Sequence, residues 1–158
     1  MTLNQIGDMV KMEWEKLSNR FKNIVLDEYV MMPNHIHGII QIIGASPFQA
    51  VNDHLKNYEK HHNKEFLQNP GGTNENSISR IIQGFKSIST NTYIHSVTKN
   101  HWPAFEKYFW QRDFFDRIIR DPEELEQVRN YIINNPQNWE SDEDNPINIH
   151  NKHTTQTT

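Results

Sequence analysis

The chain has 158 residues, no cysteine and a formal net charge of -4. This length suits one domain with a substantial core, and the lack of cysteine excludes disulfides, thiolate zinc sites and a cysteine nucleophile. No apolar run approaches the roughly 20 residues that cross a bilayer. The N-terminus lacks the basic and apolar regions of a signal peptide. We therefore expect a soluble, cytoplasmic protein.

The charge is unevenly distributed along the chain. Residues 78–120 carry a net charge of +4, whereas residues 121–158 carry -6. The acidic total argues against nucleic acid, whose binding depends on neutralising phosphates. A basic middle can nevertheless face a phosphate backbone while an acidic tail stays clear of it. Ordinary solvated surfaces explain the charge pattern equally well.

The first elements in chain order are a helix and a hairpin. Apolar residues recur at helical spacing over 3–18, and residues 23–31 have the composition of a strand. A turn at Pro33 leads into a second, isoleucine-rich strand from His35 to Ile43. Side chains alternate along a strand, so the imidazoles of His35 and His37 lie on one face and can grip one cation.

The next segments differ in character. Residues 44–76 read as a loop, with at most a short helix around 51–67. An apolar stripe from Ile78 to Ile88 predicts a helix, and the aromatic-rich segment 107–117 favours extended backbone. Its aromatic side chains can stack on unpaired bases, although core packing is the more common role.

The last helix has clear end signals. Asp121 is a good N-cap, Pro122 suits the first helical position, and Pro136 ends the helix. Tyr131 and Asn135 are one turn apart and share a face. The residues from 141 to 158 are acidic and polar, and we expect them to be disordered.

Four segments in order resemble the HUH family of single-tyrosine transposases, above all the REP-associated tyrosine transposases and their transposase-like relatives. They are DEYVMMPNHIHGII at 27–40, ISRIIQGFK at 78–86, WQRDFFDRII at 110–119 and YIINNP at 131–136. The resemblance covers residues 3–140 and makes 1–140 a transposase-like endonuclease domain. A His-x-His pair alone is not specific to this family, but the four segments in this order are.

The resemblance implies an α+β, ferredoxin-like fold with an antiparallel sheet and helices on one face. It implies a cytoplasmic, nucleoid-associated enzyme that cuts and transfers one DNA strand, and a monomer or homodimer acting on single-stranded or hairpin DNA. On matching positions, Tyr131 is the nucleophile, and His35, His37 and Asn135 bind Mg²⁺ or Mn²⁺. The product is a covalent 5′-phosphotyrosine and a free 3′ hydroxyl. The cationic residues that we expect to contact DNA are Arg80, Lys86, Arg112 and Arg117.

Two departures keep other interpretations open. Family members usually carry a strand before the first helix, and this chain lacks one in its sequence pattern. The second departure is the acidic total charge. The missing strand favours a non-catalytic DNA-binding remnant as the alternative to an enzyme, whereas the acidic charge argues against DNA binding in general. A third alternative is an unrelated His-x-His metalloenzyme, but Gly38 and the isoleucines after it fit neither the metallo-β-lactamase nor the cupin pattern. Tyr93, in the basic middle, is the main rival nucleophile.

Overall fold

The computed structural model describes residues 2–43, 77–142 and 145–148. The first helix, α1, spans Gln5–Glu15 and is followed by a short helix, α2, at Leu17–Arg20. The Asn4 side chain caps α1 by accepting a hydrogen bond from the Gly7 amide at 2.9 Å. The predicted helix over 3–18 is therefore present, with slightly different ends. The predicted loop over 44–76 lies outside the described residues.

The predicted hairpin is present. Strand β1 spans Ile24–Met31 and β2 spans Ile36–Ile42, so His37 lies in β2 and His35 immediately precedes it. The strands pair antiparallel, with Leu26 opposite Ile40 and Tyr29 opposite Gly38. Two residues of β1, Asp27 and Glu28, therefore face one residue of β2, which is a β-bulge. The bulge lets the side chains on both halves of β1 reach the same core.

Helix α3 spans Ile78–Asn100 and packs against α1. The shared core joins apolar side chains of α1, α2, β1 and α3. The aromatic segment that follows has no regular strand, although 107–117 was predicted to be extended. Trp110 anchors it, because its indole donates a hydrogen bond at 2.9 Å to Ser89, a fully buried residue of α3.

Helix α4 spans Pro122–Asn134 and begins as predicted. The Asp121 side chain accepts a hydrogen bond from the Glu124 amide at 2.8 Å. A 3-10 turn at Asn135–Gln137 follows, and a second one spans Trp139–Ser141. Of the tail predicted to be disordered, 141–158, the described residues are 141, 142 and 145–148.

The helices lie on both faces of the hairpin, so the prediction of helices on one face is wrong. A Cβ atom on Gly38 would meet the Trp14 ring of α1, so Gly38 faces α1. Side chains alternate along β2, and the neighbouring His37 accordingly faces the other side, where Tyr131 of α4 contacts it. The apolar stripe of α4 explains this second layer, since it needs a partner surface of its own.

The α+β class and the antiparallel pairing are confirmed. The sheet of the described residues has two strands, and no strand precedes α1 within them. Among these same residues, no helix is long and apolar enough to cross a membrane.

Gly38 sets how closely α1 approaches the sheet. Its added Cβ would lie 2.5 Å from the Trp14 ring and 3.2 Å from the Cβ of Tyr29. We expect Gly38→Ala to lower the free energy of unfolding by about 1–3 kcal/mol, the usual cost of overpacking. Urea denaturation measures this loss. Gly7→Ala is the control, because its Cβ would come no closer than 3.1 Å to any atom, the nearest being in the Leu3 side chain, and alanine favours the helix. An equal loss in both variants would contradict the steric explanation.

Candidate active site

His35, just before β2, and His37, within it, lie next to each other as expected from the sequence. The Nε2 atoms of His35 and His37 are 2.9 Å apart, and the ring centroids are 4.6 Å apart. Without a cation, one nitrogen must donate a hydrogen to the other. Two imidazole nitrogens bound at right angles to one octahedral ion, each about 2.1 Å from it, lie about 3.0 Å apart. The observed separation therefore suits two neighbouring ligands of one ion.

The residue before the pair sets the tautomer of His35. Its Nδ1 lies 2.8 Å from Oδ1 of Asn34, an atom that only accepts hydrogen bonds. His35 must therefore donate from Nδ1, which leaves the lone pair of a neutral ring on Nε2. That lone pair points towards His37. A hydrogen bond that fixes the tautomer in this way is typical of histidines that bind metals.

Tyr131 lies beside the pair. Its ring centroid is 5.3 Å from that of His37, with the rings edge to face. The side chain comes from a flank of α4, next to the buried Ile132, and Tyr131 remains 57% exposed. A phenol that is both next to the histidines and open to solvent can be reached by a large substrate. The structure therefore brings together His35, His37 and Tyr131.

The rival tyrosines are placed less favourably. Tyr93 is buried, and its hydroxyl donates a hydrogen bond at 2.7 Å to the Pro103 carbonyl. Tyr29 donates to the Glu15 carboxylate at 2.6 Å, and burial together with this bond raises its pKa to about 12. Tyr108 is 84% exposed but lines a cavity of about 450 Å³ against α3. Tyr58 lies outside the described residues.

Asn135 follows Tyr131 by one turn and is almost completely buried, at 3% exposure. Its Oδ1 atom has no hydrogen-bond partner. A buried amide oxygen without a partner costs free energy unless a ligand binds it. Among the described residues, no cluster of three or more His, Cys, Asp or Glu side chains is arranged for a metal ion. Asn135 Oδ1 is therefore an oxygen acceptor without a partner, one helical turn beyond Tyr131.

The donor set also bears on the choice of metal. Two imidazoles and one amide oxygen form a mixed nitrogen and oxygen site. Mg²⁺ prefers oxygen ligands and keeps several waters, so it gains little from the histidines. Mn²⁺ accepts oxygen ligands and, as a transition metal, also accepts imidazole nitrogen. Of the two ions that the resemblance implies, Mn²⁺ would suit such a donor set better.

A salt bridge holds α4 against the hairpin. Arg129 donates to both carboxylate oxygens of Asp27, at 2.9 Å and 2.6 Å, across 102 residues of sequence. Asp27 lies at the β1 bulge, and Arg129 lies on the flank of α4 opposite Tyr131. The paired contact fixes the rotation of α4 and hence the direction in which Tyr131 points. No sequence pattern predicts this pair.

The hydrogen bonds from Arg129 lower the pKa of Asp27 below its usual range. A lowered pKa in the folded state stabilises the protein at neutral pH, and this contribution is lost as the pH falls below about 4. We expect Asp27→Asn to show a shallower loss of stability between pH 5 and about pH 3, measured by urea denaturation across that range. Glu106→Gln, which removes an exposed carboxylate, is the control. If the free energy of unfolding falls with pH equally in Asp27→Asn and in wild type, the pairing of Asp27 with Arg129 would be contradicted.

Trp139 borders the site on its other side, and sequence reasoning missed it. Its ring centroid is 6.1 Å from that of His35, with an angle of 49° between the rings. Neighbouring rings thus lead from Tyr131 through His37 and His35 to Trp139. We call these four rings the aromatic row. The sequence feature that could have identified Trp139 is a single large aromatic residue in an otherwise acidic and polar segment.

The four cationic residues predicted to bind DNA have different environments. Lys86 is turned inward, because its ammonium donates to the carbonyls of Gln111, Arg112 and Asp113, and burial lowers its pKa. Its three hydrogens are therefore used within the protein, which makes it a poor phosphate ligand. Arg117 lies 3.5 Å from the Glu124 carboxylate. Arg80 and Arg112 are exposed and form no ion pair within the described part of the chain.

Fold and site together define a small α+β protein in which a paired-histidine strand faces a tyrosine-bearing helix. The chain is 34% identical over 149 residues to an uncharacterized protein of Haemophilus influenzae, which covers 90% of this chain and 71% of that relative. It belongs to the same family as that protein. No family model matches the chain. No solved structure matches it either.

Proposed function

We propose that this protein is an HUH-type enzyme that nicks single-stranded DNA and transfers the cut strand. The observation that carries the proposal is the line from Tyr131 to His37 and His35, with an exposed phenol at one end and two facing imidazole nitrogens beside it. The resemblance of four ordered segments to single-tyrosine transposases supports the same reaction. A ferredoxin-like relationship is part of this proposal.

The metal ligands in this proposal are His35, His37 and Asn135. A divalent ion held there supplies Lewis-acid chemistry by polarising the phosphate that is cut. Asn34 keeps the lone pair of His35 on Nε2, where a ligand needs it. A bound ion would give the unpartnered Oδ1 of Asn135 a contact that it lacks within the protein.

Tyr131 provides the nucleophile. Its phenolic oxygen forms a bond to phosphorus, and the bond from phosphorus to the 3′ oxygen breaks. The phenol loses a proton and the departing 3′ oxygen takes one up, so protons balance over the step. Because the new phosphotyrosine is also a phosphodiester, a 3′ hydroxyl can attack it and rejoin the strand without a separate energy source.

The polarity of the covalent product tests the proposal. A hairpin DNA with a single-stranded extension is labelled at the 5′ end in one sample and at the 3′ end in another, and each is incubated with the protein and Mn²⁺. Denaturing gels should show a protein-linked band only with the 3′ label, because the tyrosine retains the 5′ phosphate. A protein-linked band only with the 5′ label would contradict the proposed attack.

The same samples separate the enzyme from a DNA-binding remnant. A remnant would retain the DNA in a native gel and form no covalent band with any hairpin that it binds. The inward placement of Lys86 favours weak rather than extensive phosphate contact in either case. Binding without a covalent band across a panel of hairpins and both metals would replace the proposed enzyme by the remnant.

A further inference from the structure

The end of the aromatic row opposite Tyr131 is Trp139, whose role the chemistry of cutting does not explain. Its only ring neighbour within the described residues is His35, and the tilt of 49° leaves neither face of the indole stacked in parallel on another ring. The side chain is partly exposed. An indole that borders a polar site and keeps an unstacked face is suited to receive a flat ligand.

Two asparagines hold the backbone around this indole. Asn145, which is 6% exposed, donates a hydrogen bond at 2.9 Å to the Trp139 carbonyl. Asn148 donates to the carbonyls of Glu140 at 2.8 Å and Asp142 at 2.9 Å. These bonds fix the turn that carries the indole, so little conformational entropy is lost when a ligand stacks on it. Trp139 is thus held in place before any ligand arrives.

The surrounding charge limits which part of a nucleic acid this surface can accept. Glu140 follows Trp139 directly, and Asp142 comes three residues after it. Carboxylates repel phosphates, whereas a neutral base suffers no such repulsion. Aromatic side chains bind unpaired bases through their faces, with little dependence on base identity. An indole followed by acidic residues is therefore better matched to a base than to a phosphate.

We propose that Trp139 stacks on the unpaired base next to the phosphate that is cut. This inference rests on the proposed function, since it places that phosphate beside His35 and His37. The indole is the next ring beyond His35 in the aromatic row, so a nucleotide whose phosphate lies at the histidines can set its base on Trp139. The contact holds the single strand in register with Tyr131 and excludes a base that remains paired.

The test measures DNA binding in Tyr131→Phe protein, in which cutting is blocked. Fluorescence anisotropy in Mn²⁺ gives the Kd for a hairpin whose cleavage position the polarity experiment has located. The proteins compared are Tyr131→Phe alone and the same protein with Trp139→Ala or Trp139→Phe. Each is measured with intact DNA and with an abasic nucleotide placed in turn on either side of the cleavage position. Mn²⁺ affinity of each protein is measured separately by calorimetry.

We expect Trp139→Ala to weaken binding of intact DNA by roughly 5- to 150-fold, the usual range for one stacked base. Trp139→Phe should stay within about threefold of the parent protein, because it keeps an aromatic face. For one of the two abasic DNAs, the Kd of the parent protein and of its Trp139→Ala variant should be equal, because the base that stacks on the indole is absent from that DNA.

Other outcomes overturn the inference in distinct ways. Trp139→Ala could weaken binding by the same factor for intact DNA and for both abasic DNAs, together with a matching loss of Mn²⁺ affinity. That result would mean that the indole only supports His35. Unchanged binding of intact DNA by Trp139→Ala would exclude stacking. Absence of any DNA binding, with Mn²⁺ affinity retained, would overturn the proposed function itself.

Discussion

Replacing Tyr131 by phenylalanine is expected to abolish the covalent protein-DNA band, with a fall in its rate of formation of at least about 10⁴-fold. The substitution removes the only atom that can bond to phosphorus and keeps the ring that contacts His37 at 5.3 Å. Because the side chain is 57% exposed, the free energy of unfolding should change little. Denaturing gels of reactions with labelled hairpin DNA and Mn²⁺ measure the rate.

Tyr108→Phe is the matched control for this loss. Tyr108 is also an exposed tyrosine, at 84%, but it lies on the groove against α3 rather than at the histidines. Its substitution should leave the rate of covalent-band formation within about twofold of wild type. A covalent band that persists in Tyr131→Phe and disappears in Tyr108→Phe would reassign the nucleophile.

Replacing His35 by glutamine is expected to remove most of the stabilisation that Mn²⁺ gives to the folded protein. At a free Mn²⁺ concentration of about 100 Kd, a single site contributes about 2.7 kcal/mol, which raises the Tm of a chain of this size by roughly 5–10 °C. Loss of one of three protein ligands should abolish that shift at the same Mn²⁺ concentration. Calorimetric scans with and without Mn²⁺ measure it.

His95→Gln provides the comparison, because His95 is an exposed histidine on α3 away from the hairpin. Its Tm shift with Mn²⁺ should equal that of wild type. Asn135→Leu tests the third ligand, since a leucine side chain has similar volume and no oxygen. A normal Mn²⁺ shift in Asn135→Leu would exclude the amide from the site, whereas normal shifts in both Asn135→Leu and His35→Gln would exclude the site altogether.

Local patterns made much of the fold predictable. The cap at Asp121, the alternation along β2 and the helical spacing after Ile78 each depend on neighbours in sequence, and each element is present. The meeting of His35 and His37 follows from strand geometry alone. These features depend on a few adjacent residues, which is why one sequence suffices to predict them.

Contacts between distant segments decide the features that local patterns leave open. The positive charge of Lys86 makes it a candidate for DNA contact, but its environment is decided by three carbonyls about 25 residues away. The placement of α4 on the second face depends on the bulge at Asp27 and its bond to Arg129. No periodicity encodes these pairings, so the sequence pattern alone did not reveal them.

The separation of Asp27 and Arg129 by 102 residues also bears on how the site comes into being. The hairpin with both histidines closes through neighbours in sequence and can form early, whereas contacts between distant segments form late in folding. A nascent chain emerging from the ribosome exposes the histidines long before Tyr131 exists. In the proposed enzyme, α4 would therefore complete the site after the hairpin has formed, and a translation product that stops before α4 would carry the two histidines without the proposed nucleophile.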